Sequence, residues 1–258
     1  MAKRPHRYEF YEAAVQDAEV ECRMLERLAR QELGRAPLKF REDFCGTFWL
    51  GQEWAKLSDK HFATGVDLDA ASIQWGLERH GHPASATRLK TIVQDVRHPS
   101  PEPFDVIGAF NFSYFVFRHR ADLLQYFRSV RASLAPDGIL VLDHFGGAEV
   151  YRETVTRRSC RLPDKRRFTY LWEKKVYDPA TAHGLYAIHF EPKDGRPLRN
   201  AFVYDWRVWT MPELIDLLNE AGFSRVRSYL EDDNDKLQKN SKRFMEYENW
   251  LAYLVAQV

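Results

Sequence analysis

Glu42-Asp43-Phe44-Cys45-Gly46-Thr47, followed by Val66-Asp67-Leu68-Asp69 and then Val93-Gln94-Asp95-Val96, decides how this sequence is read. The first run has the form of a tight strand-to-helix turn. The two later runs place an acid at the end of an apolar segment, the arrangement with which a parallel α/β sheet holds a nucleoside. Asp67 follows Gly46 by 21 residues (67 − 46), close to the roughly 20 that separate a phosphate-binding turn from a ribose-binding acid. A carboxylate at Asp67 can accept from both ribose hydroxyls, Asp95 can accept from an adenine amine, and the Val96 N–H can donate to a ring nitrogen. Each acid also has a purely structural reading, Asp69 as a helix N-cap and Asp95 as a turn former.

Outward from that turn the chain alternates. Leu38 to Phe44 starts a sheet, and four units follow in βα order: Phe62–Asp67 into a helix over Ala70–His80, Thr91–Gln94, Phe104–Phe110 into Ala121–Leu134, and Gly138–Asp143. Such alternation predicts a parallel sheet with right-handed crossovers. Upstream, Tyr11, Ala14, Val15, Ala18, Cys22, Leu25, Leu28 and Ala29 recur with the 3.6-residue period of one amphipathic helix. Past Gly146-Gly147, the segments Arg167–Tyr177, Leu185–Glu191 and Arg199–Trp209 read as extended, joined by turns at Asp178-Pro179 and Lys193-Asp194-Gly195. A helix returns at Met211–Leu218 with Thr210 as N-cap, and strands at Ser224–Leu230 and Trp250–Val255 complete the sheet.

A chain of 258 residues, 45% hydrophobic and 14% aromatic, can bury a substantial core. A net charge of +1 sets up no global field for nucleic acid or membrane. Cys22, Cys45 and Cys160 are widely spaced and odd in number, which argues against disulfides or a zinc knuckle and for a reducing, cytoplasmic setting. The basic start runs into Tyr8-Glu9-Phe10 rather than an apolar stretch, so no signal peptide is expected, and no apolar run is long enough to span a bilayer. The histidines show no zinc spacing, and no metal is expected.

Together these motifs resemble the class I S-adenosylmethionine-dependent methyltransferases, and the resemblance covers the core from about Leu38 to Phe145 plus the terminal helix and strands. Glu42 to Thr47 is similar to that superfamily's glycine-rich first motif, in the E-D-F-C-G-T form of one subgroup; Asp67 is similar to its ribose acid and Asp95-Val96 to its adenine contact. Leu134 to Leu142 resembles its loop and fifth strand, and Trp209 to Phe223 the late helix of its small-molecule members. The resemblance implies S-adenosyl-L-methionine as cofactor, held by Asp43, Phe44, Cys45, Gly46, Thr47, Asp67, Leu68, Asp95, Val96 and Asn111, with Tyr11 reaching it from the N-terminal helix. This chain departs from the usual three glycines by placing Phe44 and Phe48 where two would stand. A bulky residue takes φ > 0 poorly, which removes a pyrophosphate cradle, counts against NAD or FAD, and leaves open an empty pocket.

Candidate catalytic residues are Asn111, Tyr114 and His144. Asn111-Phe112-Ser113-Tyr114 shares polar and aromatic spacing with the N-P-P-Y motif of amine methyltransferases, where the Asn oxygen accepts from the substrate nitrogen; the alternative is a capping Asn and a core Tyr. His144 is placed to face the crevice as a general base, or to pack. Arg157, Arg158, Arg161, Lys165, Arg166 and Arg167 form one basic run, read as a solvated loop, with an RNA contact as the rival.

The fold expected is therefore α/β: a Rossmann-like seven-stranded methyltransferase sheet (38–147 and 210–258), an N-terminal helical cap (1–37) and an antiparallel β insertion after the fifth strand (148–209) roofing the substrate. The function expected is methyl transfer to a small-molecule N or O acceptor. An RNA or protein methyltransferase and a lapsed cofactor-binding scaffold are the rivals. Expected partners are the small-molecule acceptor and, optionally, a second copy in a homodimer; nucleic acid is disfavoured and membrane is not expected.

Overall fold

The computed structural model describes residues 5–231, 237–239 and 248–258; part of the expected C-terminal segment, at 232–236 and 240–247, lies outside them. The N-terminal stripe read as one helix is two, α1 (Arg7–Val15) and α2 (Ala18–Leu33), because Gln16 is extended (φ −119°, ψ 138°). The two helices serve different partners. The chain divides into two compact units, one holding the residues up to Asp17, Phe115–Arg118 and Val150–Trp209, the other Ala18–Tyr114, His119–Glu149 and Thr210–Val258. The expected cap of residues 1–37 is thereby shared between them.

In the larger unit, β1 (Lys39–Asp43), α3 (Trp49–Lys56), β2 (Phe62–Asp67), α4 (Ala70–His80), β3 (Leu89–Val93), β4 (Phe104–Ala109), α5 (Arg120–Ala132) and β5 (Leu134–Gly146) follow in βα order. After the antiparallel segment come α6 (Met211–Glu220), β10 (Arg225–Glu231), β11 (Leu237–Lys239) and β12 (Trp250–Gln257). The sheet order is β11-β10-β12-β5-β4-β1-β2-β3, the seven strands expected plus the short β11 at one edge. β1 to β5 pair in parallel and β12 antiparallel to β5. Runs such as Ile139-Leu140-Val141-Leu142 are fully buried, as a strand covered on both faces requires. The apolar stripe of α2 joins Phe40, Trp54, Ile73, Val106 and Val141 in one core. Asp69 caps α4 by accepting from Ala71 N and Ser72 N, and Thr210 caps α6 in a capping box with Glu213, as the sequence predicts.

The smaller unit is a four-stranded antiparallel sheet, β6 (Thr154–Arg161), β7 (Arg167–Asp178), β8 (His183–Pro192) and β9 (Leu198–Arg207), in that order. Phe10 of α1 packs edge-on to Phe168 at 5.0 Å and stacks on Phe190 at 5.4 Å. The basic run is a loop only at Lys165 and Arg166. Arg157, Arg158 and Arg161 lie on β6, an edge strand that pairs residue by residue with β7, and charged side chains there keep an unpaired edge from recruiting another chain. No helix among the described residues is long and apolar enough to cross a membrane.

Candidate active site

Four parallel strands end in register beside β5, which runs on to Gly146. Leu142, Ala109, Asp43, Val66 and Ile92 form one row across β5, β4, β1, β2 and β3, so the turns that follow them line one carboxyl edge, where open α/β sheets bind ligands.

The first turn overrules the expectation drawn from its phenylalanines. Phe44 and Phe48 both adopt left-handed φ, 55° and 56°, with Gly46 at 51° between them. The turn is closed by Phe48 N–H donating to the Cys45 carbonyl at 2.6 Å and Gly46 N–H donating to Asp67 Oδ2 at 2.8 Å. Packing sustains the conformation: the fully buried Phe48 ring occupies the space that side chains at Gly51 and Gly65 would need, since a Cβ there would stand 1.9 Å and 2.5 Å from it. The glycines missing from the turn reappear beneath it. Around Gly46 itself an added Cβ would meet nothing within 4 Å, so open space lies beside that backbone.

Asp67 is oriented from two sides, accepting from Gly46 N–H on Oδ2 and from Asp69 N–H on Oδ1, each at 2.8 Å. Each oxygen retains a lone pair for a further donor. The adjoining Leu68 is 70% exposed, an apolar side chain presented beside an acid. The N–H of the buried Val96 has no partner among the described residues, an uncommon state for a buried donor and one that a ligand acceptor would resolve. Asp95 behaves as the turn former: it accepts from Arg97 N–H and pairs with the Arg97 guanidinium through both oxygens, which holds its carboxyl below the usual range. Its carboxylate is therefore not a free acceptor for an adenine amine.

Four other expected contacts are taken up within the protein. Asp43 is buried against Arg41 at 2.6 Å and accepts from Tyr126 O–H at 3.0 Å; burial pushes its carboxyl up, with Arg41 and Tyr126 pulling it back. The Cys45 side chain joins the core, and burial raises its thiol well above the usual value. Tyr11 belongs to the smaller unit, where it packs on Phe202 at 4.9 Å and bonds Tyr204. Thr47 is buried, and its carbonyl faces the helix α4 at Gly76, where a Cβ would come within 1.8 Å.

After β4, Asn111 and Phe112 are both left-handed, at φ 55° and 57°. The Asn111 side-chain amide has no partner among the described residues. Both backbone N–H groups of the pair donate to Asp143, at 2.7 Å to Oδ2 and 2.9 Å to Oδ1. Asp143 received no role from sequence; an acid closing the wholly apolar run Ile139–Leu142 was the available signal. Tyr114 and His144 correct the catalytic expectation. The Tyr114 ring is fully buried, its hydroxyl lies 2.9 Å from His144 Nδ1, and burial lowers His144 to about 3. A buried, neutral imidazole hydrogen-bonded to a core tyrosine is a packing element, not a solvent-facing base. No group of three or more metal-ligating side chains is found among the described residues.

In the smaller unit a cavity of about 360 Å³ at the hairpin ends is lined by Phe10, Leu162, Arg166, Arg167 and Arg196. Much of the basic run is spent internally: Arg157 pairs with Glu191 at 3.4 Å, Arg166 with Asp164, and Arg158 bonds the Ala14 carbonyl while lying 5.3 Å from the Tyr170 ring.

No family model and no curated protein matches the chain. Solved structures do. DesVI of Streptomyces venezuelae superposes with a TM-score of 0.76 at 15% identity, over 98% of this chain and 99% of that one. The SAM-bound CalS10, an amino pentose methyltransferase from Micromonospora echinaspora involved in calicheamicin biosynthesis, gives 0.73 at 15% identity over 100% and 98%. The sugar N-methyltransferase KedS8 from Streptoalloteichus sp ATCC 53650 gives 0.68 at 18% identity over 100% and 94%. The fold of this chain is that of these methyltransferase structures.

Proposed function

We propose that this protein transfers a methyl group from S-adenosyl-L-methionine to a nitrogen or oxygen of a small-molecule acceptor. The observation that carries the reading is Asp67, held by Gly46 N–H and Asp69 N–H at 2.8 Å each with lone pairs to spare, beside the exposed Leu68 and the unpartnered Val96 N–H. These groups fit a nucleoside: Asp67 accepts from the ribose hydroxyls, Leu68 packs on the base, Val96 N–H donates to a ring nitrogen, and the open space at Gly46 admits a close approach. Phe44, Cys45 and Thr47 contribute backbone alone. When bound, the cofactor supplies a sulfonium methyl group for in-line displacement, a reaction in which alignment accounts for much of the acceleration. Asn111 Oδ1 accepts an N–H from an amine acceptor and so directs its lone pair. A sugar-like amine is the acceptor class favoured by the likeness to CalS10, an amino pentose methyltransferase, and KedS8, a sugar N-methyltransferase.

The scaffold rival rested on Phe44 and Phe48 being unable to form the turn, and that objection falls with their observed φ. The RNA rival weakens because Arg157, Arg158 and Arg166 of the basic run already have partners within the smaller unit. Thermal unfolding with S-adenosylhomocysteine, S-adenosylmethionine and NAD tests the reading. A ligand at about 100 times its dissociation constant adds roughly 2.7 kcal/mol, raising the midpoint by on the order of 5 to 10 °C. A rise with both sulfur nucleosides and none with NAD is expected; no rise with any of them refutes the proposal.

A further inference from the structure

The turn after β4 carries two consecutive non-glycine residues in the left-handed region. Asparagine tolerates that region, whereas phenylalanine enters it only with support from outside. The Phe112 ring packs edge-on to Phe145 at 4.6 Å, Ser113 closes the turn onto the Phe110 carbonyl, and the two left-handed N–H groups donate to Asp143, one to each carboxylate oxygen. Asp143 is 8% exposed within β5, one step beyond the row at which β1 and β4 end, and the turn it grips bears the Asn111 amide.

We propose that Asp143 is a positioning residue for methyl transfer: its carboxylate locks the Asn111–Phe112 turn and thereby sets the Asn111 side chain to receive the acceptor. This rests on the function proposed above. The lock requires the ionised form, because two acceptor oxygens serve two donors, and a protonated carboxyl turns one oxygen into a competing donor. The surroundings make that protonation accessible. Burial raises Asp143 to about 7, the Glu21 charge on α2 acts in the same sense, and the Asn111 and Phe112 N–H bonds oppose both. The other titratable groups around it are Tyr114, whose hydroxyl lies 3.0 Å from the Asp143 carbonyl, His144 next in sequence, and Tyr253 opposite it on β12. With His144 held neutral down to about 3, the carboxyl of Asp143 is the group of this set that changes charge near neutrality.

The test uses the full-length, ¹⁵N-labelled protein and Asp143→Asn. In the wild type the Asn111 and Phe112 amide resonances are expected to titrate together with a midpoint near pH 7, and in Asp143→Asn to lose that titration. S-adenosylhomocysteine affinity should stay within about two-fold, while kcat on an acceptor found by screening falls on the order of 10- to 100-fold, the scale of an ångström-level misplacement. The acid limb of the wild-type kcat profile should vanish with it, which a merely structural role would not cause. Amides that ignore pH between about 5 and 9, spanning the usual carboxylate range and this raised value, or a variant with unchanged kcat, overturn the proposal. If Asp143→Asn fails to fold, the wild-type titration decides. Absence of S-adenosylhomocysteine binding to the wild type instead overturns the methyltransferase reading, and the amide titration still judges the lock.

Discussion

The turns after β1 and β4 solve the same problem by different means. Each contains two phenylalanines or an asparagine–phenylalanine pair at φ of 55° to 57°, where an L side chain costs on the order of 1 to 3 kcal/mol. After β1 the compensation is mainly apolar: the Phe48 ring fills the hollows over Gly51 and Gly65, with one N–H bond from Gly46 to Asp67 beside it. After β4 it is electrostatic, two N–H bonds to the buried carboxylate of Asp143. Strain balanced by packing is indifferent to pH, whereas strain balanced by a carboxylate with a value of about 7 is not. The cofactor side of the proposed site is built to be constant and the acceptor side to be adjustable.

The comparison is broken most directly by pH. A carboxyl raised from 3.8 to about 7 binds a proton in the folded state that the unfolded state has released, so Asp143 withdraws stability as pH rises through that window. The difference in unfolding free energy between wild type and Asp143→Asn should slope by up to about 1.4 kcal/mol per pH unit there and flatten above it. His144, lowered to about 3, acts oppositely, with stability lost as pH falls from 6.5; the difference curve cancels it. A flat difference curve across that window would mean that Asp143 does not titrate there. Next in size, Asp67→Ala should weaken S-adenosylhomocysteine binding by about 100-fold, since charged hydrogen bonds contribute about 1.5 to 3 kcal/mol each; calorimetric titration showing unchanged affinity removes Asp67 from the site. Smallest, Gly51→Ala should cost about 2 kcal/mol in denaturant unfolding by colliding with the Phe48 ring. In a Phe48→Ala background the same change should turn neutral or favourable, as alanine for glycine in a helix normally is; an equal cost in both backgrounds breaks the packing account.

Elements with one dominant physical signal were legible in sequence. The apolar runs of β2, β4 and β5, the caps Asp69 and Thr210, and the Gly46–Asp67 spacing all have local causes, and the structure places them as read. β6 was missed because an edge strand buries little: of Thr154–Arg161 only Cys160 is buried, so no alternation survives under the arginines. The single N-terminal helix failed because α1 and α2 keep a common period across Gln16 while packing in different units. Asp43, Asp95 and His144 were misjudged for one reason. Residue type advertises chemistry, but whether a partner has already claimed it depends on side-chain geometry, for Arg41 and Arg97 two residues away and for Tyr114 across the sheet.

Phe48, Gly51 and Gly65 also constrain how this sequence can drift. While the ring at 48 stands, alanine is penalised at both glycine positions; once 48 becomes small, position 51 is released, whereas position 65 still faces Cys45 Sγ, 2.8 Å from an added Cβ. Residue 48 thus decides what position 51 can carry.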